Sequence, residues 1–265
     1  VGEPMVDGDV EPGTAAIAEL GQTVTAVQYL DALDAEVHAM DVQPTDLAGA
    51  TTRQVDLTDP ESIDAAVTAI GADVQAVFSV AGLPGPPFSD LETMTVNFLG
   101  ARHLIESLVP TMAPGAAAAC VASNAGLGWQ QEIKAWMPLV KTPDFASGLA
   151  WCEDNPTLID GGYVPSKKVL NLWVAWRGTQ LIADPGIRLN VTNPGPTETA
   201  MMPAFEAFVG KEMIDAFIGP SGRRCVAEEQ AWPLLFLNSP RLTYVAAEVL
   251  HVDGGFLAAM TTGQL

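Results

Sequence analysis

Short runs that are apolar on both faces alternate along this chain with longer helical patterns, and that alternation constrains the fold more than any other feature. Glu36 to Met40 (EVHAM) reads as a strand ending at Asp41, and Ala50 to Val55 leads to Asp56. Pro60 to Ile70 reads as a helix, with Asp59 at its cap and Pro60 in its first turn. Val74 to Val80 is a buried strand stopped by a turn-rich stretch from Gly82 to Pro87. A long helix over Leu91 to Leu108 precedes the strand Ala116 to Ala122. A strongly apolar helix, Val164 to Ile182, is followed by strands at Ile187 to Thr192 and Val245 to Val252. Strands apolar on both faces belong in a sheet covered by helices on both sides, so the expected class is α/β with a doubly wound parallel sheet.

With 265 residues, 48% of them apolar, the chain can bury one large core, and residues 1–265 read as a single domain. Residues 1–14 read as irregular, and residues 129–162 as a helical insertion carrying three tryptophans and several prolines. Cys120, Cys152 and Cys225 are odd in number and far apart, which argues against a metal site or a disulfide framework and fits a reducing cytoplasm. No apolar run is long enough to span a bilayer, and the first residues are acidic rather than leader-like. A net charge of −20 repels phosphate backbones and anionic lipids, so neither nucleic acid nor membrane is an expected partner.

Tyr163-Val164-Pro165-Ser166-Lys167 opens the most apolar helix, and the spacing of four sets the phenol and the ammonium on one face, one turn apart. An ammonium beside a phenol favours the phenolate, which makes tyrosine a usable acid or base near neutrality. The pattern alone is weak, since such a pair also occurs at ordinary helix starts. Ser123 ends a central strand at the carboxyl edge, where open α/β sheets bind ligands, although a serine there also serves as a cap.

The ordered set Asp56-Leu57, Ala81-Gly82, Asn97, Ser123, Tyr163/Lys167, Pro194 to Thr199 (PGPTET) and His251 to Gly255 (HVDGG) resembles the short-chain dehydrogenase/reductase family, from about Ala35 to the C-terminus. The 40 positions between Ser123 and Tyr163 resemble the branch with bacterial 3α-hydroxysteroid and coniferyl-alcohol dehydrogenases. Val96 to Leu104, Ala150 to Pro156 and Asp160 to Lys168 strengthen that placement. The resemblance implies a Rossmann-type fold and an NAD-dependent oxidoreductase acting on a hydrophobic or aromatic alcohol and its carbonyl compound. It implies that Tyr163 is the acid/base, that Lys167 tunes it and holds the nicotinamide ribose, and that Ser123 orients the substrate oxygen. Asn97 is implied to hold a relay water, its plainer alternative being a helix-interior residue bonded to backbone. Asp41 is implied to bind the adenosine ribose and favour NAD over NADP, with Asp56 and Leu57 near the adenine. Ala81, Gly82, Pro194, Gly195 and Thr197 are implied to flank the cofactor. A homo-oligomer is implied too, a dimer before a tetramer.

One motif departs from that pattern. A TGxxxGxG turn is expected after the first strand, where bare backbone meets a diphosphate at a helix N-terminus. Counting back from Asp41, its glycines fall at Ile17, Gly21 and Thr23, so only Gly21 survives, with a carboxylate at Glu19. NNAG likewise reads Ser79-Val80-Ala81-Gly82. Three explanations stay open: an altered mode of NAD binding, loss of NAD with retention of the fold, or a shifted alignment in which Gly8 to Gly13 supplies the loop. The alternative function is a cofactor-free relative with a binding, scaffold or non-redox acid/base role. Trp129, Trp136, Met137, Leu139, Phe145 and Trp151 are expected either to cover an apolar substrate cleft or to pack the insertion onto the domain. Met201, Met202, Phe205 and Phe208 are expected in an adaptable substrate loop.

Overall fold

A computed structural model describes the backbone of residues 14–18 and 20–265 and the side chains from Ala26 onward. The first βαβ unit is β1 (Thr14–Ala18), α1 (Leu20–Asp31) and β2 (Glu36–Asp41). Thr14 thus belongs to a strand rather than to an irregular segment, and Gly8 to Gly13 and Glu19 lie outside the described residues. After β3 (Thr51–Gln54), α2 (Pro60–Ile70) starts where its signals put it. Asp59 accepts from the Glu61 N–H at 2.9 Å, and Pro60 fills a first-turn position that has no N–H to satisfy.

Beyond β4 (Val74–Ser79), Ser89 and Glu92 cap each other's backbone at the head of α3 (Asp90–Met94). The helix expected over Leu91 to Leu108 runs on from there but changes pitch: a π-turn over Thr95–Gly100 joins α3 to α4 (Ala101–Leu108). Gly100 is required by close approach, because a Cβ there would collide with the Leu57 carbonyl oxygen.

The central strand β5 (Met112–Val121) begins upstream of its expected start, and its alanines let helices approach from both sides. Ala118, Cys120 and Ala122 face one core, and Ala119 and Val121 face the other. The insertion is helical, with α5 (Ile133–Val140) and α6 (Phe145–Asp154) preceding the long α7 (Tyr163–Ala183). Buried Arg102 from α4 ties it down, donating to Thr142 Oγ1 at 2.9 Å and to the Asp144 carbonyl at 2.8 Å.

β6 (Arg188–Pro194) leads into a flap made of β7 (Thr197–Glu198), α8 (Met202–Val209), α9 (Lys211–Asp215) and β8 (Cys225–Val226). α10 (Ala227–Asn238), β9 (Val249–Val252) and α11 (Phe256–Thr261) complete the described chain. β9 is shorter than the expected Val245 to Val252, because Ala247 takes a φ of 59° and breaks the extended run.

Among the described residues, seven strands form one parallel sheet in the order β3-β2-β1-β4-β5-β6-β9, a doubly wound Rossmann-type topology. β7 and β8 form a separate parallel ribbon at the base of the flap. One core lies between the sheet and α2, α4 and α7, and the insertion packs onto that side. The other lies beneath α1 and α10, where Tyr29 meets Trp232 edge-on with centroids 5.2 Å apart. Among the described residues no helix is long and apolar enough to cross a membrane.

Candidate active site

A cavity of about 250 Å³ opens at the carboxyl edge of the sheet, over the ends of β4, β5 and β6. Ligand sites belong at this edge in an open α/β sheet. Ser123 lines it, one residue past buried Ala122, and caps the short turn Asn124–Gly126 by accepting from the Ala125 N–H at 3.1 Å. That bond uses an oxygen lone pair and leaves the hydroxyl proton to be directed elsewhere. The cap role and the cavity position are therefore compatible.

Tyr163 begins α7, and its ring faces the same cavity. The Lys167 ammonium lies one turn on, 5.3 Å from the centre of that ring, and donates to the Val121 carbonyl at 3.2 Å. Lys167 is only 4% exposed, so its charge sits in a low-dielectric setting beside the phenol. Directly beneath, burial pushes the Cys120 thiol up to about 12, with the Lys167 ammonium opposing that rise.

Asn97 occupies the π-turn and is fully committed to its neighbours. Its Oδ1 accepts from the Leu83 N–H at 2.6 Å, and its Nδ2 donates to the Leu83 carbonyl at 3.0 Å and to Ser166 Oγ at 3.1 Å. Ser166 in turn donates to the Tyr163 carbonyl at 2.7 Å. The plainer reading of Asn97, a buried residue bonded to backbone, describes these side-chain contacts. Its effect is to lock the turn after β4 to the start of α7. Gly82 sits inside that lock, since a Cβ there would come within 3.2 Å of Asn97 Oδ1 and 3.5 Å of Lys167 Nζ. Leu83 and Ser166 were not singled out in the sequence, although Ser166 stands inside the Tyr-Val-Pro-Ser-Lys run.

Pro194, Gly195 and Thr197 form the far rim of the cavity, where Thr197 donates to the Gly195 carbonyl at 2.9 Å. Asn124, which follows Ser123, holds a second polar group: its Nδ2 donates to Asp253 at 3.3 Å and its Oδ1 lies 3.3 Å from His251 Nδ1. The remaining wall is apolar and comes from the flap. Phe205 lies edge-on to the Tyr163 ring, centroids 4.8 Å apart, and Met201, Met202, Ile214 and Phe217 complete it.

Of the two roles expected for the insertion's aromatics the packing one is found, and the expectation for Phe208 is corrected here. The insertion's aromatics do not line this cavity; Trp136, Leu139 and Phe145 are buried in the core, and Trp129, Met137 and Trp151 pack against it. Arg102 of α4 holds the insertion against that side by bonding to Leu139, Thr142 and Asp144. Phe208, on the outer face of α8, is 62% exposed and does not join Met201, Met202 and Phe205.

The residues expected around the adenosine end are not gathered at the cavity. Asp41 closes β2 and accepts from the Gln43 N–H at 2.7 Å, and Asp56 accepts from the Thr58 N–H at 2.8 Å. Leu57 is buried in the core, and Ala81 packs against it. Gly21 is the second residue of α1, inside the helix rather than in a turn before it. The cavity fits the nicotinamide riboside end of the implied cofactor, because a cation, two hydroxyls and a Cβ-free Gly82 surround one compact space. The diphosphate end has no such match, because Ile17 is paired within the β1 ladder and Gly21 lies inside α1.

A family profile described as enoyl-(acyl carrier protein) reductase matches residues 160–257. The chain is 31% identical over 237 residues to the 3-alpha-hydroxysteroid dehydrogenase/carbonyl reductase of Comamonas testosteroni, covering 82% of this chain and 91% of that protein. It is 27% identical over 202 residues to the coniferyl-alcohol dehydrogenase of a Pseudomonas species, covering 76% and 79% respectively. Among solved structures, a Pseudomonas 3-alpha-hydroxysteroid dehydrogenase complexed with NADH superposes with a TM-score of 0.77 at 24% identity, covering 95% of this chain and 99% of that one. Levodione reductase superposes at 0.71 with 20% identity, covering 93% and 98%. At these identities the structural likeness speaks for the fold.

Proposed function

Because the chain belongs to the short-chain dehydrogenase/reductase family and is an oxidoreductase of that family, we propose that it interconverts a hydrophobic or aromatic alcohol with its carbonyl compound, using NAD rather than NADP. The observation that carries this reading is the convergence of Ser123, Tyr163 and Lys167 on one cavity whose remaining wall is apolar. Aryl alcohols and hydroxysteroids, the classes named in two relatives, share an apolar body and one hydroxyl, which suits such a wall.

A nicotinamide ring, when bound, takes or gives the hydride. Everything else falls to this chain's own side chains. Tyr163 moves the proton at the substrate oxygen, with the Lys167 ammonium stabilising negative charge on the phenol. Ser123 donates its free hydroxyl proton to the same substrate oxygen. Asn97 and Ser166 are positioning residues, since they hold the start of α7 against the turn at Gly82 and Leu83. Asp41 disfavours a 2′-phosphate by charge, which is the basis for preferring NAD.

The three free cysteines suit a reducing cytoplasm. The chain works as one domain and as a homo-oligomer, a dimer before a tetramer, because its own insertion covers α7 with buried Trp136 and Leu139. The test is oxidation of aryl alcohols and hydroxysteroids at millimolar NAD by the wild type and by Tyr163→Phe. The wild type should turn over at least one class, and the variant, still folded by circular dichroism, should lose about 10²- to 10⁴-fold in rate. Equal rates for both proteins, or no turnover of either class, would sink the proposal.

A further inference from the structure

The diphosphate of a dinucleotide carries two negative charges, and a parallel α/β sheet normally meets it with a glycine turn between the first strand and the first helix. That turn holds the helix start back from the strand edge, which gives the phosphates room and turns bare N–H groups toward them. Here β1 runs to Ala18 and α1 begins at Leu20. Ile17, at a position a turn glycine would take, is inside the strand ladder, paired with Ala39 on one side and Phe78 on the other.

No cation compensates from the adjoining chain. Between Leu20 and Asp90 the sequence holds one arginine and no lysine among eleven carboxylates. The single guanidinium, Arg53, is turned away onto α2, where it donates to the Ala69 carbonyl at 3.2 Å. Asp41 ends β2 and Asp56 follows two residues after β3, and both add negative charge to this edge. The whole chain, at a net charge of −20, adds repulsion at longer range. The nicotinamide end is built in the opposite way, with the buried Lys167 ammonium beside two hydroxyls.

From this asymmetry we infer that the site draws its affinity for a nicotinamide dinucleotide from the nicotinamide riboside end, and that the adenosine diphosphate end, though it lies near Asp41, adds no net affinity. Reduced nicotinamide riboside, which carries no phosphate, then serves as a ligand as well as the dinucleotide does. The inference rests on the proposed nicotinamide dependence and narrows it to one half of the molecule.

Equilibrium binding to the full chain, by calorimetry at millimolar ligand, tests it with NADH, reduced nicotinamide riboside and ADP-ribose. The expected result is that the first two bind within about threefold of each other while ADP-ribose gives no heat of binding. NADH affinity should also hold or rise as sodium chloride increases, since screening relieves repulsion of the diphosphate. An NADH advantage of about tenfold or more, or measurable binding of ADP-ribose, would overturn the inference and leave the proposed reaction standing. Failure of both nicotinamide ligands to bind would overturn it together with the nicotinamide dependence on which it rests.

Discussion

Half-buried polar side chains near a reacting centre are tolerated when their partners are fixed, and their protonation then feeds back on stability. His251 is such a residue, with Nδ1 3.3 Å from Asn124 Oδ1 and Asn124 bonded in turn to Asp253. Burial lowers the pKa of His251, and the carboxylates of Asp253 and Glu248 only partly oppose that shift. A histidine whose folded value lies below its ordinary one binds fewer protons folded than unfolded across that interval. Stability should therefore rise with pH from the lowered value up to about 6.5, be fully present above that, and fall on acidification. Urea midpoints measured at about pH 7.5 and about pH 5.5 should drop more for the wild type than for His251→Gln. An equal drop in both proteins would mean that other groups carry the whole pH dependence. Because Asn124 adjoins Ser123, the same protonation should also reach the cavity wall.

At the scale of elements, one side chain links the pieces of the flap. Arg224, 9% exposed, pairs with Glu198 of β7 at 3.1 Å, Glu206 of α8 at 2.7 Å and Asp215 of α9 at 2.7 Å. Burial by itself would lower its pKa, but the bonds to Glu206, Asp215 and Glu198 more than offset this and raise it. Arg224→Met should leave three carboxylates facing one another and loosen α8 and α9 over the cavity. Lys211 lies in that segment with its side chain largely exposed, so digestion by a lysine-specific protease should cut there about tenfold faster in the variant, with a smaller change in global unfolding. An unchanged rate would show that the flap is held by its apolar contacts instead. The flap also marks what could be read in the sequence. The α2 helix with its Asp59-Pro60 start, and the Tyr163–Lys167 pair, rest on local rules of capping and helical spacing, so they were legible. The π-turn at Asn97, the positive φ at Ala247, the Arg224 hub and the inward-facing insertion depend on partners 9 or more positions away or on packing, which periodicity does not encode. The missing diphosphate turn was visible as absent glycines, but only the strand ladder shows that Ile17 is not in a loop.

For the molecule as a whole, attraction and repulsion among charges compete. Some ion pairs are well formed, such as Arg177 with Glu106 at 2.8 Å and Lys211 with Asp215 at 2.9 Å. But 32 acidic residues face 12 basic ones, so most carboxylates have no cation to meet. Two apolar cores on either side of the sheet hold the fold against that surplus. Salt shortens the reach of both effects, from about 30 Å at 0.01 M to about 3 Å at 1 M, and contacts at hydrogen-bond distance lose less than repulsions spread over the surface. Unfolding also relieves the repulsion by separating the charges, so screening should favour the compact state. The melting temperature should accordingly rise by roughly 3 °C or more between low and molar sodium chloride, a salt that adds little exclusion effect of its own. Calorimetric scans across that range decide the matter. A falling melting temperature would mean that the ion pairs, with the Arg224 hub foremost among them, outweigh the diffuse repulsion, and that the acidic surface destabilises the fold very little.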